Sequence, residues 1–246
     1  MTLIVVIAVR DGIVLASDSR QTVLATLTPE VGPSKAIPQN VSFTESDSVS
    51  KIFLAPKNNV AIAHHHMADV NGTPLSEDIK AFISEKLSND SIQIDEIPKM
   101  LLEYFEAQHI KTRAFFYVCG YKRGADGRLD QQVWHVDLQN EGINRSNKPD
   151  SYGPSYGGEA DVIRRMIGPV GLLDKNGNVV EKFENWPIYW QDFTLQDAID
   201  YATFVIRATI GLISFQIRQK TVGGPIDVLV IEPNNATWFQ QKQLHV

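Results

Sequence analysis

The sequence predicts an α+β fold in which helix layers lie outside two stacked sheets. Three observations point there. Ile- and Val-rich runs flank an Asp-Gly turn at the start of the chain, helical stretches come in pairs between runs of strands, and the longest amphipathic helix is followed at once by another apolar strand. A strictly alternating parallel sheet would interleave single strands with single helices, which is not the order seen.

Taken in order, Thr2 to Val9 reads as a strand, and the Asp11-Gly12 turn returns the chain into Ile13 to Ser17 as a hairpin. Residues 21–50 are polar and carry Pro29, Pro33 and Pro38, so a polar insertion or long loop is expected there. KIFLAP and NNVAIAHH read as two further strands joined at Pro56 to Asn59. Ser76 is positioned to cap a helix bearing Ile79, Phe82, Ile83 and Leu87, and Ile94, Ile97, Leu101 and Phe105 continue the spacing in a second. RAFFYVCGY, QQVWHVDL and a segment near Ile143 return to strand character. A glycine-rich SYGPSYGGEA precedes a short helix through Val162, Ile163 and Ile167, and a polar excursion runs from Gly171 to Asp192. Thr194, with Asp197 three residues on, caps the best helix, whose stripe is Leu195, Ala198, Ile199, Ala202, Ile206, Ile210, Ile213 and Ile217. GGPIDVLVIEP gives a last buried strand and TWFQ one more.

With 246 residues, 43% hydrophobic and 21% charged, the chain suits one large domain spanning 1–246. A net charge of −6, with the basic residues scattered, offers no footprint for nucleic acid. The Leu3–Val9 run has no basic stretch before it and is too short for a bilayer, so no membrane partner and a cytoplasmic location are expected. Cys119 is the only cysteine, which excludes an intrachain disulfide, and its apolar neighbours suit a small buried hydrophobe.

Two stretches carry possible chemistry. A threonine at the second position permits removal of Met1, which leaves Thr2 with both a hydroxyl nucleophile and a free α-amine; the plain alternative is a β-former opening a strand. His64, His65 and His66 are adjacent, but strand alternation lets only His64 and His66 converge, one ligand short of a zinc site, so no metal and no cofactor are expected.

The opening Thr, the strand, DGIVLASDSRQT and KIFLAPKNNVAIA together resemble the β-type subunits of proteasomes and the bacterial proteasome-like peptidases among the N-terminal nucleophile hydrolases. The match extends more loosely through FFYVCGY, VWHVDL, the long helix and GGPIDVLVI. The resemblance implies a four-layer αββα sandwich, with Thr2 as nucleophile, Lys51 as the ammonium beside its hydroxyl, Asp18 as the carboxylate that orients Lys51, and Arg20 as a brace. It implies peptide or other amide substrates, and a homo-oligomeric ring that can work with a partner ATPase not identified from sequence. Departures accompany it. Where the family has an Ala-Gly pair whose glycine amide is the oxyanion donor, this chain has Ala63-His64, which leaves the His64 backbone N–H for that role. The family's supporting Asp and Ser-Gly correspond to Gln219 and Val222-Gly223, and Ser155 lies where an auxiliary serine is expected. Those departures keep a second expectation open, a catalytically inactive structural or binding subunit.

Overall fold

The computed structural model describes residues 2–27, 39–67, 69–70, 73–108, 110 and 112–243. Its strands are β1 (Leu3–Val9), β2 (Gly12–Asp18), β3 (Gln21–Leu27), β4 (Gln39–Ser46), β5 (Ile52–Ala55), β6 (Val60–His66), β7 (Asp69–Val70), β8 (Thr73–Pro74), β9 (Ala114–Arg123), β10 (Leu129–Asp137), β11 (Gly142–Arg145), β12 (Gly153–Gly158), β13 (Gly171–Leu173), β14 (Val179–Lys182), β15 (Ile226–Glu232) and β16 (Asn235–Gln240). The helices are α1 (Leu75–Lys86), α2 (Ile97–Ala107), α3 (Asp161–Ile167) and α4 (Leu195–Phe215). Two five-stranded antiparallel sheets organise them, one ordered β12-β1-β2-β15-β16 and the other β11-β10-β9-β6-β5.

Strand alternation explains why β1 and β2 are apolar throughout. Ile4, Val6, Ile13 and Leu15 point into the seam between the sheets, where they meet Ala61, Ala63, Tyr117, Cys119 and Val133. Leu3, Val5, Ile7 and Val14 point the other way, into a cluster with Ala198, Ile199, Ala202, Val205 and Ile206 of α4. With both faces covered, a continuous apolar run replaces an alternating one. The second sheet packs Phe53, Val60, Ile62, Phe116 and Val118 against Ile79 and Phe82 of α1 and Ile97, Leu101 and Phe105 of α2. Thr194 and Asp197 form the expected capping box at the start of α4. Among the described residues α4 is the one helix long and apolar enough to cross a membrane by length and composition, and part of it is packed on the first sheet.

The expectation of a four-layer αββα sandwich of the N-terminal nucleophile type is corrected by this inventory. Sixteen strands against four α-helices make the described chain sheet-rich. α3 spans only seven residues, and where more helix would extend a layer the chain forms the β13–β14 hairpin and a single 3-10 turn at Trp190–Asp192. The Gly171–Lys182 stretch has β-branched residues but no stripe at helical spacing, which is why it pairs as strand.

Other expectations shift locally. The 21–50 segment carries the β3–β4 ladder where a loop or insertion was expected; residues 28–38, with Pro29, Pro33 and Pro38, lie outside the described residues. α1 starts at Leu75 with Pro74 at its cap and no side-chain cap bond, one residue before the Ser76 expected to cap it. The glycine-rich stretch contains β12, which pairs along nearly the whole of β1. α4 stops at Phe215, leaving Ile217 of the expected stripe fully exposed.

Candidate functional site

Antiparallel pairing brings three chain segments to one end of the seam: the start of β1, the end of β2 and the residue before β5. Asp18, fully buried, collects four donors there. Its Oδ1 accepts from the Leu3 backbone N–H at 2.9 Å and from Lys51 Nζ at 2.8 Å, while Oδ2 accepts from the backbone N–H groups of Gly223 at 3.0 Å and Arg20 at 3.2 Å. Lys51 Nζ also donates to the Arg20 carbonyl at 2.7 Å. Burial pushes the Lys51 ammonium below the ordinary lysine range, and the charge of Asp18 opposes that.

Thr2 is 6% exposed and is held from both sides of its backbone. The peptide it shares with Leu3 donates to Asp18, and its carbonyl accepts from the Glu159 N–H at 2.8 Å. Gly158, at φ +84°, makes that approach feasible, because a Cβ there would sit 1.7 Å from the Thr2 carbonyl oxygen. Asp18 and Lys51 are therefore in direct contact, and Thr2 is tied to the same carboxylate oxygen through its following amide.

Of the remaining expected residues, Arg20 and Gly223 join this group. The Arg20 guanidinium grips Asp47 with bonds of 2.6 and 2.7 Å and reaches the Lys220 carbonyl at 3.3 Å. The hydrogen bond between them holds the Asp47 carboxyl below the usual carboxylate range and raises Arg20. Gly223 donates to Asp18, accepts from the Ser19 N–H at 3.0 Å, and leaves no room for a Cβ, which would lie 2.5 Å from the Arg20 guanidinium carbon.

Three others are placed differently. The His64 amide, expected as oxyanion donor, donates at 3.0 Å to the Lys51 carbonyl, because it continues the β5–β6 ladder. Ser155 pairs with Val6, three residues along β12 from Gly158 and so about 10 Å from the Thr2 end. Gln219 lies half-buried between Arg218, which bridges Glu159 and Asp161, and Lys220, which caps the end of α4; it stands outside the groups that meet Asp18.

The histidine run departs from the expected alternation: His66 adopts φ +78°, and it is His65 and His66 that converge, not His64 and His66. The His64 ring is buried near Phe53, and burial followed by the Lys51 charge lowers its pKa to about 4, against backbone hydrogen bonding from Ser50 and Met67. His65 points into the seam, stacks on Phe115, and has Nδ1 at 2.7 Å from His66 Nδ1; burial, then its neighbouring imidazoles, lowers it to about 2. Among the described residues no group of three His, Cys, Asp or Glu side chains is arranged to hold a metal ion. Cys119 is buried in the seam, and desolvation raises its thiol pKa far above the ordinary range.

The structure adds residues that sequence reasoning missed. Glu159 follows the Gly157-Gly158 pair, binds the Thr2 carbonyl through its amide, and accepts from Arg218 and from the buried Thr221 hydroxyl, each at 3.2 Å. The Glu159 amide thus holds the Thr2 backbone while its carboxylate binds Arg218 and Thr221. The signal of Glu159 and Thr221 in sequence was only adjacency to the glycines. Asp47, and Lys242, whose ammonium and amide bind the buried Asp227 carboxylate at the start of β15, had no local signal at all.

Protein-family models give no match to this sequence, and neither do curated proteins. Among solved structures, the chain is similar to an Anbu (Gly-1) mutant from Hyphomicrobium sp. strain MC1, with TM-score 0.60, 15% identity, 96% of this chain covered and 85% of the other. It is similar also to Anbu, described as an ancestral beta-subunit, from Yersinia bercovieri, with TM-score 0.59, 13% identity and coverages of 97% and 87%. At such identities the likeness is one of fold. The resemblance to proteasome β-subunits and bacterial N-terminal nucleophile peptidases is thereby corrected: the structural neighbours are Anbu proteins, and no family model assigns the chain to the hydrolases named from its sequence.

Proposed function

We propose that the chain is an N-terminal threonine hydrolase that cleaves peptide or other amide bonds within a homo-oligomeric, proteasome-like assembly. The observation that carries this reading is the single oxygen, Asp18 Oδ1, that binds both the Lys51 ammonium and the amide next to Thr2. Once Met1 is removed, the Thr2 hydroxyl attacks a substrate carbonyl and its proton passes to the Thr2 α-amine, whose ordinary pKa near ~8 suits the task at neutral pH. The proton then goes to the leaving amine as the C–N bond breaks, and water hydrolyses the ester left on Thr2. The Lys51 ammonium, held by Asp18 and dry, lowers the cost of the developing alkoxide. The assembly is supported by the fold likeness to a protein described as a β-subunit and by an outward stripe on α4, where Phe204, Leu212 and Phe215 are exposed. A solution mass of a single 27.5 kDa chain would remove that part of the reading.

One observation favours a non-catalytic structural or binding subunit: the amide expected to stabilise an oxyanion is already bonded to the Lys51 carbonyl. Intact mass of protein from its native host, combined with labelling by a threonine-directed electrophile, separates the two. The hydrolase reading expects a chain beginning at Thr2 and a label that Lys51→Ala slows by ~100-fold or more per folded molecule, beyond whatever stability is lost with the Asp18 ion pair. Retained Met1, or no label on a free Thr2, replaces it with the structural subunit.

A further inference from the structure

The peptide between Thr2 and Leu3 is held at both of its polar atoms. The Leu3 N–H donates to Asp18 Oδ1 at 2.9 Å, and the Thr2 carbonyl accepts from the Glu159 N–H at 2.8 Å. The two holders are themselves joined. Asp18 Oδ2 accepts from the Gly223 N–H at 3.0 Å, and two residues earlier the Thr221 hydroxyl donates to Glu159 Oε2 at 3.2 Å. The segment 221–223, which leads from α4 into β15, thus closes a circuit of hydrogen bonds around the Thr2–Leu3 peptide.

Within that circuit the Glu159 amide is the point that most needs an anchor. It follows Gly157 and Gly158, and the second of these sits at φ +84°, a conformation that glycine adopts without a steric penalty. The turn is closed locally by the Ala160 N–H, which donates to the Gly158 carbonyl at 3.0 Å. An N–H that follows two glycines keeps one direction only if its own residue is tied down, and the Glu159 side chain provides the tie. Its Oε1 accepts from Arg218 at 3.2 Å, but the Arg218 side chain is 29% exposed and is divided between Glu159 and Asp161. Thr221 is 2% exposed, and its hydroxyl goes to Glu159.

Valine would match the shape of Thr221 and lack only the hydroxyl. What the hydroxyl adds is a direction. We infer that Thr221, acting through Glu159, is a positioning residue for Thr2: it fixes the peptide plane from which the Thr2 hydroxyl and α-amine project. The inference rests on the reading of Thr2 as the nucleophile. The Lys51–Asp18 pair is made without either residue, so their contribution is separable from that of the ion pair.

The test uses full-length protein shown by intact mass to begin at Thr2, labelled with a threonine-directed electrophile over a range of concentrations. In Thr221→Val the limiting rate of labelling is expected to fall about 10-fold or more with the half-saturating concentration little changed, because a misplaced nucleophile reacts slowly with a reagent that still binds. Thr221→Ser, which returns the hydroxyl, is expected to restore the rate. Thr209→Val removes another buried hydroxyl, one bonded to the Val205 carbonyl inside α4, and is expected to leave the rate unchanged. Amide hydrogen exchange reads the tie without any chemistry at Thr2. In Thr221→Val the Glu159 N–H is expected to exchange about 10-fold faster or more, while the amides of the β9–β10 ladder keep their rates. If Thr221→Val does not fold, Glu159→Ala cuts the same tie from its other end and carries the same expectations. An unchanged limiting rate in a folded variant overturns the inference, as does an unmoved Glu159 exchange rate or an equal loss in Thr209→Val. Wild type whose free Thr2 takes no label sinks the hydrolase reading and the positioning role with it. A labelled wild type with an indifferent Thr221→Val sinks the positioning role alone.

Discussion

Replacing Asp18 with Asn tests whether one carboxylate organises the end of the seam. In the native chain both oxygens accept, and four donors converge on them from Leu3, Lys51, Gly223 and Arg20. An Asn side chain keeps one carbonyl oxygen and turns the other position into an NH₂ donor. Whichever way the amide is turned, two donors face it without an acceptor, and the Lys51 charge loses its counter-ion. Breaking a buried ion pair by removing one partner costs about 3–5 kcal/mol, a figure that already contains the penalty of the donor left unpaired, so a loss of at least about 4 kcal/mol is expected. At about 2–4 °C per kcal/mol for a domain of this size, the melting temperature should fall by about 8–16 °C. Urea denaturation of wild type and Asp18→Asn at neutral pH measures the difference directly. A loss under about 1 kcal/mol, with the m-value unchanged, would mean that the four donors do not depend on this side chain, and the account of the site would fail with it.

Acid sensitivity should come from the buried histidines. His64 and His65 have folded pKa values of about 4 and about 2, below the ordinary value near 6.5, so both are neutral in the folded chain where the unfolded chain protonates them. Stability is therefore complete above about pH 6.5 and declines as pH falls from there toward 4, by up to about 2.7 kcal/mol per pH unit for two such groups. His65→Phe should roughly halve that slope in denaturation measured between pH 6.5 and 5; an unchanged slope would assign the acid limb to other groups. Gly158→Ala should be more damaging than an ordinary glycine change, because a left-handed residue without glycine costs about 1–2 kcal/mol and the new Cβ would also overlap the Thr2 carbonyl. A loss above about 2 kcal/mol with faster proteolysis near the N-terminus is expected, and a near-neutral result would show that Thr2 is not held against β12.

Much of the framework was legible because its signals are local. The β1–β2 hairpin announced itself by an Asp-Gly turn between apolar runs, and α4 by a capping box and a stripe, and both are where the residues put them. Asp18 and Lys51 were legible as a pair only through the family resemblance, and the structure puts them in contact across the seam between the two sheets. What failed depends on partners distant in sequence. β12 is made of Gly, Pro, Ser and Tyr, with little strand propensity of its own, and pairs because β1 lies beside it. The β3–β4 ladder hid behind prolines and polar residues. The His64 amide could be counted from sequence, but its commitment to the Lys51 carbonyl depends on ladder register. Lys242 and Glu159 matter through contacts with residues 15 and more than 150 positions away, which no window along the chain can show.

The four-donor carboxylate also bears on how such a protein could lose its chemistry. Asp18 fastens the start of β1, the Arg20 corner and the approach to β15, and Lys51 is the buried charge that balances it. Drift at either position would first be felt as failure to fold, so both would persist in a lineage long after turnover had ceased. The ties to Thr2 run through its backbone, which any small residue can supply. Neither tie uses its hydroxyl. Under the proposed hydrolase reading, the occupant of position 2 is thus the letter that would distinguish a working enzyme from a retired one among sister sequences, while an intact Asp and Lys testify only to a sound scaffold.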